Sequence, residues 1–175
     1  MRHLTRADYR RMPWANGRGT TVEMLREDGP EGLLLRLSMA SVVEDGPFSV
    51  FPGIERNLTV ISGPGFRLEG EVTAECRPLE PVAFAGDAAV RAVATGGVPS
   101  EDFNVMTARA LPRPEVTVLH GPQSLPAGGR LCLFALEGVA VNGVTLAPQD
   151  LLILEGPATI AAGATVIAVR LAGKG

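Results

Sequence analysis

The stretch Leu131-Cys132-Leu133-Phe134-Ala135-Leu136-Glu137-Gly138, followed by Val141-Asn142-Gly143-Val144 and then Leu151-Leu152-Ile153-Leu154-Glu155-Gly156, decides the fold. It reads as an apolar strand ending in glycine, a two-residue hairpin and a second apolar strand ending in glycine. The Asn142-Gly143 pair is the strongest short hairpin signal a sequence offers. The same rhythm occurs earlier in the chain. Leu58 to Gly63 is the strand, Phe66 to Gly70 follows the turn Ser62-Gly63-Pro64-Gly65, and Val82 to Gly86 closes the unit. Ahead of both copies the sequence alternates in the same extended manner. In Leu33 to Ala40, the residues Leu33, Leu35, Leu37 and Met39 share one face of a strand; Leu34, Arg36, Ser38 and Ala40 share the other.

Composition agrees. Glycine (21) and proline (14) supply 35 of 175 residues, more breakers than a helical domain tolerates and what many short strands with tight turns require. A single short helix is expected around Thr5 to Arg11, with Thr5 as its N-cap. The expected fold is all-β, a bicupin made of two small antiparallel β-barrels packed together, each closing its sheet and so removing exposed edges. A single larger β-sandwich is the alternative. The expected division is residues 1–110 for the N-terminal strand segment and first barrel, and 111–175 for the second barrel.

With 16 Lys and Arg against 19 Asp and Glu, the net charge is -3, and nothing neutralises phosphates in bulk, so neither nucleic acid nor an anionic membrane is expected as a partner. No apolar run reaches the roughly 20 residues that span a bilayer. The N-terminal Met1 to Trp14 segment is basic but lacks the apolar stretch of a secretory signal. Two cysteines far apart, Cys76 and Cys132, fit a reducing compartment. The only histidines are His3 and His120, and no HxH occurs, so neither a metal nor another cofactor is expected. No GxSxG elbow and no Cys–His neighbourhood point to a nucleophile, so no catalytic residue is assigned.

What remains is three polar clusters. The first, Trp14 to Glu23, holds the only tryptophan; it reads either as a turn feeding an edge strand or as Asn16, Thr20 and Glu23 lining a cavity. The second, Glu44 to Arg56, sets two phenylalanines between proline turns, with Arg56 either in a surface ion pair or turned inward. The third is Glu101 to Met106, where Asn104 is a turn residue or a site residue and Phe103 is core or wall. Arg36 stands in an apolar run, where an unpaired buried charge is costly. Either its face is in solvent or its guanidinium enters a polar cavity suited to bidentate capture of a carboxylate.

At these clusters the sequence resembles the HutD/Ves family of bacterial double-cupin proteins. The resemblance rests on Pro13-Trp14, Asn16-Gly17, Gly19-Thr20-Thr21 and Glu23; on Arg36-Leu37-Ser38 and Ala40; on Gly46-Pro47-Phe48-Ser49, Phe51-Pro52-Gly53 and Arg56; and on Phe84-Ala85-Gly86-Asp87 with Asp102-Phe103-Asn104-Val105-Met106. Arg18 departs from the family's run of glycines. The resemblance implies a cytoplasmic protein of histidine utilisation. It would be a metal-free cupin that binds an anionic histidine-degradation intermediate (urocanate or a formylglutamate-like compound) and modulates the pathway. It carries no established catalysis. The implied pocket comprises Asn16, Thr20, Glu23, Arg36, Ser49, Arg56 and Asn104, walled by Trp14, Phe48 and Phe103. A homodimer is an expectation at the level of the family. Two other readings stay open: a metal-independent enzyme with Glu23 as general base, and a regulatory interaction module with no ligand.

Overall fold

The fold comes from a computed structural model that describes residues 1–15, 17 and 19–173. The chain forms two compact units, Arg10–Leu111 and a second assembled from Met1–Tyr9 with Pro112–Gly175. The expected helix is a single 3-10 turn, Arg6–Asp8. Thr5 caps it as anticipated, its hydroxyl accepting from Ala7 N at 3.3 Å while Asp8 accepts from Thr5 N at 2.8 Å. The turn goes no further because the next residues are engaged elsewhere: the Tyr9 hydroxyl donates to Gln149 O at 2.6 Å, and Arg10–Pro13 joins a sheet.

In the Arg10–Leu111 unit, a six-stranded antiparallel sheet runs in the order Arg10–Pro13, Thr20–Gly29, Gly32–Val42, Ser100–Ala108, Ile54–Ser62, Val82–Ala85. A four-stranded sheet runs Gly46–Pro47, Val90–Val93, Phe66–Gly70, Ala74–Cys76. Leu58, Val60 and Phe84 of the larger sheet share one apolar core with Phe66, Leu68, Val90 and Ala92 of the smaller. Burying those faces against each other is what holds the unit together.

The second unit repeats the plan. Its five-stranded sheet is Arg2–Leu4, Leu151–Glu155, Arg130–Ala135, Thr165–Leu171, Glu115–His120, and its four-stranded sheet is Gln123–Leu125, Ala158–Ile160, Val139–Val141, Val144–Leu146. Eight consecutive strands in each unit pair in the same way. Ile54–Ser62 lies between Val82–Ala85 and Ser100–Ala108, just as Arg130–Ala135 lies between Leu151–Glu155 and Thr165–Leu171. The repeat seen in the sequence is therefore a repeat of topology. The predicted hairpin forms, with Asn142 at φ 49° and Gly143 at φ 80°, the two left-handed residues that a type I′ turn requires.

One expectation is corrected. The sheets do not close into continuous hydrogen-bonded rings: each barrel is two facing sheets with separate ladders. The strands of the smaller sheets are only two to five residues long, which leaves those ladders separate and the outer strands of each sheet as edges.

Candidate functional site

The Gly32–Val42 strand places Leu35, Leu37 and Met39 on one face, all buried. On its other face Arg36, Ser38, Ala40 and Val42 line a cavity of about 420 Å³ within the Arg10–Leu111 unit. The neighbouring Ser100–Ala108 strand adds Asp102, Asn104 and Met106, and Ile54–Ser62 adds Arg56. Register aligns these residues in rows across the sheet. Thr21, Ala40, Asp102 and Val60 form one row; Glu23, Ser38, Asn104 and Leu58 a second; Arg36, Met106 and Arg56 a third. The wall opposite comes from Pro47, Phe48, Ser49 and Phe51, and Trp14, Ala15 and Thr21 complete the lining. Ala15, Pro47 and Ser49 are exposed and mark the mouth.

Two guanidinium groups enter this cavity, in different electrostatic settings. Arg36 donates from Nε to Glu23 Oε2 at 2.8 Å, a pair of which each residue is less than a tenth exposed. Glu23 lies opposite Ser38 and so meets Arg36 diagonally, and a β-bulge follows between Glu23 and Leu25. Arg56 is 7% exposed. It donates from Nη2 to Asn104 Oδ1 at 2.9 Å and makes a long 3.5 Å contact from Nη1 to Ser49 O. Its Nε is buried with no hydrogen-bond partner, and among the described residues no carboxylate forms an ion pair with it. The rings of Phe48, Phe51 and Phe84 surround it at 5.3, 5.4 and 5.0 Å. Burial, opposed by Asp102 and reinforced by Arg36, pulls Arg56 down to about 10.

Asn104 links Arg56 to Asp102, its Nδ2 donating to Asp102 Oδ1. A carboxylate accepts and a guanidinium donates, so this amide must present its oxygen to Arg56 and its nitrogen to Asp102. Asp102 is 1% exposed, and burial pushes its carboxyl up to about 7 against the pull of Arg56 and the Asn104 bond. On the far side of the cavity Trp14 Nε1 donates to Thr21 Oγ1 at 2.9 Å. The indole lies on Gly19, where an added Cβ would sit 2.7 Å from the ring; this glycine is needed for close approach.

Of the residues singled out in sequence, Trp14, Arg36, Phe48, Ser49, Arg56 and Asn104 come together on this lining. Thr20 lies in the ladder opposite Pro13, and its neighbour Thr21 takes the lining position. Glu23 is the partner of Arg36 and does not line the cavity. Phe103, fully buried, alternates away from Asp102 and Asn104 on its strand. Asn16 lies outside the described residues. Thr21, Ser38, Phe51, Asp102 and Met106 entered the sequence reading only as residues that carry the resemblance, not as pocket residues, and the structure places them on the lining. The period-two pattern of Asp102, Asn104 and Met106 was the signal that could have found Asp102, since Asn104 was already in view.

Among the described residues, no group of three or more His, Cys, Asp or Glu is arranged to hold a metal ion. His3 pairs with Asp150 at 2.8 Å, and His120 lies 3.3 Å from Thr165 Oγ1. Among the described residues no helix is long and apolar enough to cross a membrane.

Comparison with known proteins gives the family. An uncharacterized 21.2 kDa protein in the hutC 3′ region of Pseudomonas putida is 40% identical over 109 residues, 60% of this chain and 57% of that one. Protein Ves of Citrobacter koseri is 39% identical over 58% of this chain and 56% of its own length. The chain thus matches little more than half the length of these curated relatives. The solved structure of HutD from Pseudomonas fluorescens SBW25 matches with a TM-score of 0.88 at 32% identity, covering 99% of each chain. At 12% identity, protein YlbA from E. coli shares the fold alone, with a TM-score of 0.68 over 99% of this chain and 91% of its own. The HutD model itself matches residues 6–169, nearly the whole length, and the chain belongs to the HutD family.

Proposed function

We propose that the cavity of the Arg10–Leu111 unit binds a small anionic metabolite, a carboxylate held by Arg56, and that this binding serves histidine utilisation. The guest is an intermediate such as urocanate or a formylglutamate-like compound. The observation that carries this reading is Arg56 itself: a guanidinium 7% exposed, at a cavity wall, with an orphaned Nε and, among the described residues, no carboxylate in a direct ion pair with it. A donor left poorly matched in a buried site costs up to roughly 1–3 kcal/mol, and Arg56 Nη1, whose contact with Ser49 O is long at 3.5 Å, is the donor that a carboxylate in the cavity would engage. Three phenylalanine rings crowd the guanidinium, and what such a group offers a guest is its edge, the geometry that binds carboxylates in plane. A volume of about 420 Å³ suits a small metabolite. The enzyme reading gains nothing from this geometry, because its general base, Glu23, is engaged by Arg36 and lies off the lining.

Titration calorimetry with urocanate and with N-formylglutamate tests the reading. Saturable heat is expected for the wild type, with affinity reduced at least tenfold in Arg56→Met, the scale of a lost charge-assisted hydrogen bond. Silence with both compounds at millimolar concentration would overturn it.

A further inference from the structure

We propose that Asp102 is the charge-balancing residue of this cavity: a carboxylate binds at Arg56 together with a proton on Asp102. The inference rests on the anion-binding reading above and goes beyond it, since nothing in that reading requires a proton. Asp102 sits in the middle of the inner face, between the apolar Ala40 and Val60, with no water-exposed surface to speak of. It reaches Arg56 only through the Asn104 amide, so no direct ion pair holds its charge.

The other charged and titratable groups around it are few. From the Gly32–Val42 strand comes Arg36, matched by Glu23 of Thr20–Gly29. From Ala74–Cys76 comes Cys76, whose thiol burial pushes up to about 12 and leaves it uncharged. On its own strand Glu101 is exposed and accepts from Ser62 Oγ at 3.2 Å. Glu23 cancels Arg36, so among the described residues the account closes on Arg56 and Asp102.

With the cavity empty, an ionised Asp102 offsets Arg56 across the amide. When a carboxylate takes Arg56, an ionised Asp102 would be a second negative charge facing one cation in a poorly solvated space. A proton on Asp102 removes that charge, and the neutral carboxyl still accepts from Asn104. Burial already brings this group up to about 7, so near neutral pH the proton is readily held. The sign follows. The guest raises the affinity of Asp102 for its proton, so binding takes up a proton above pH 7, and affinity falls as pH rises.

The test is titration calorimetry of the whole protein with urocanate from pH 7 to 9, in phosphate and in Tris. The two buffers differ in protonation enthalpy, so their difference in heat counts the protons. The ring of urocanate, an imidazole with an ordinary pKa of about 6.5, is neutral over most of this range. For the wild type we expect uptake approaching one proton per guest at pH 8 and affinity falling about tenfold per pH unit above 7. In Asp102→Asn, proton uptake disappears and affinity is flat over the same range. Wild-type binding without proton uptake, or uptake that survives in Asp102→Asn, overturns the assignment of Asp102 and leaves the carboxylate site standing. If neither urocanate nor N-formylglutamate binds the wild type, both proposals fall. Should Asp102→Asn not fold, the wild-type proton count and pH slope decide alone.

Discussion

Replacing Arg56 with Met should separate binding from stability. For most buried side chains of this size truncation is expensive, about 2–5 kcal/mol. Arg56 differs because its charge is held under protest. Burial moves it from an ordinary 12.5 to about 10, a displacement that at roughly 1.4 kcal/mol per pH unit disfavours the charged native state by about 3 kcal/mol. The methionine side chain of Arg56→Met would sit among Phe48, Phe51 and Phe84 as an apolar group of similar length, and the orphaned Nε would be gone. Against that gain stands the loss of the Nη2 bond to Asn104, about 1.5–3 kcal/mol for a bond to a charged group. The attraction of the guanidinium to the rings, about 0.5–2 kcal/mol, is lost as well. These opposing contributions nearly cancel. Unliganded Arg56→Met is therefore expected within about 2 kcal/mol of the wild type in urea unfolding at pH 7, while urocanate binding drops at least tenfold. A loss above about 4 kcal/mol with anion affinity unchanged would refute the reasoning, because it would make Arg56 a structural residue and empty the cavity of its anchor.

Arg36 should behave in the opposite way. Glu23→Ala leaves its guanidinium buried and unmatched and should cost about 3–5 kcal/mol, most of which returns when Arg36→Met is added; a double variant no better than Glu23→Ala in denaturant titrations would sink this. Stability should also depend on Asp102 with a definite sign. Its carboxyl is raised from 3.8 to about 7 in the fold, so its contribution is complete below about pH 4 and is lost as pH climbs through 7. Comparing wild type with Asp102→Asn from pH 4 to 8, the difference should move in favour of the variant by about 4 kcal/mol, at roughly 1.4 kcal/mol per pH unit; a difference that stays constant refutes the shift. Gly19→Ala drives a methyl into the Trp14 indole at 2.7 Å and should cost about 1–3 kcal/mol. As Trp14 is the only tryptophan, the displacement is read directly in its fluorescence, and an unchanged spectrum and stability would show that the ring is not held there.

The parts of the fold that could be read in the sequence were those fixed by local chemistry. Asn142-Gly143 specifies a type I′ hairpin because both residues accept positive φ, and the alternation from Leu33 to Ala40 specifies two faces. Thr5 announced a cap correctly, but a cap does not set a helix's length; tertiary pairing of Arg10–Pro13 cut it to one turn. Of the cavity lining, Arg36 was legible because it stands in the apolar run Leu33-Leu34-Leu35-Arg36-Leu37, whereas Arg56 lies between Glu55 and Asn57 and carries no such local signal. The link between Arg56 and Asp102 was not legible, because it depends on register. Only pairing Met106 with both Arg36 and Arg56 tells which inward residues share a row. The pairing of Glu23 with Arg36 was hidden for the same reason: it depends on the register that sets Glu23 opposite Ser38, diagonal to Arg36.

The repeat offers a further argument about why chemistry sits in one unit. The two share eight strands of common topology, yet their inward faces differ in content. In the second unit the central strands contribute Leu131, Leu133, Val166 and Ala168, joined by Leu119, Val141 and Ile160 in one filled apolar core. In the first, the equivalent strands present Arg56, Asp102 and Asn104, and Gly32–Val42 presents Arg36 and Ser38. Apolar packing is the default solution for such a space, and the second unit shows that this topology accepts it. Polar and charged residues on the first unit's inner face give up that stability, and an orphaned Nε remains on Arg56 even though Arg56, Asn104 and Asp102 are bonded in a chain and Arg36 is paired with Glu23. Selection for folding alone favours the filled core. A cavity kept polar against that tendency is what ligand binding requires, and the cost is concentrated at Arg56, the buried cation at which the guest is expected to bind.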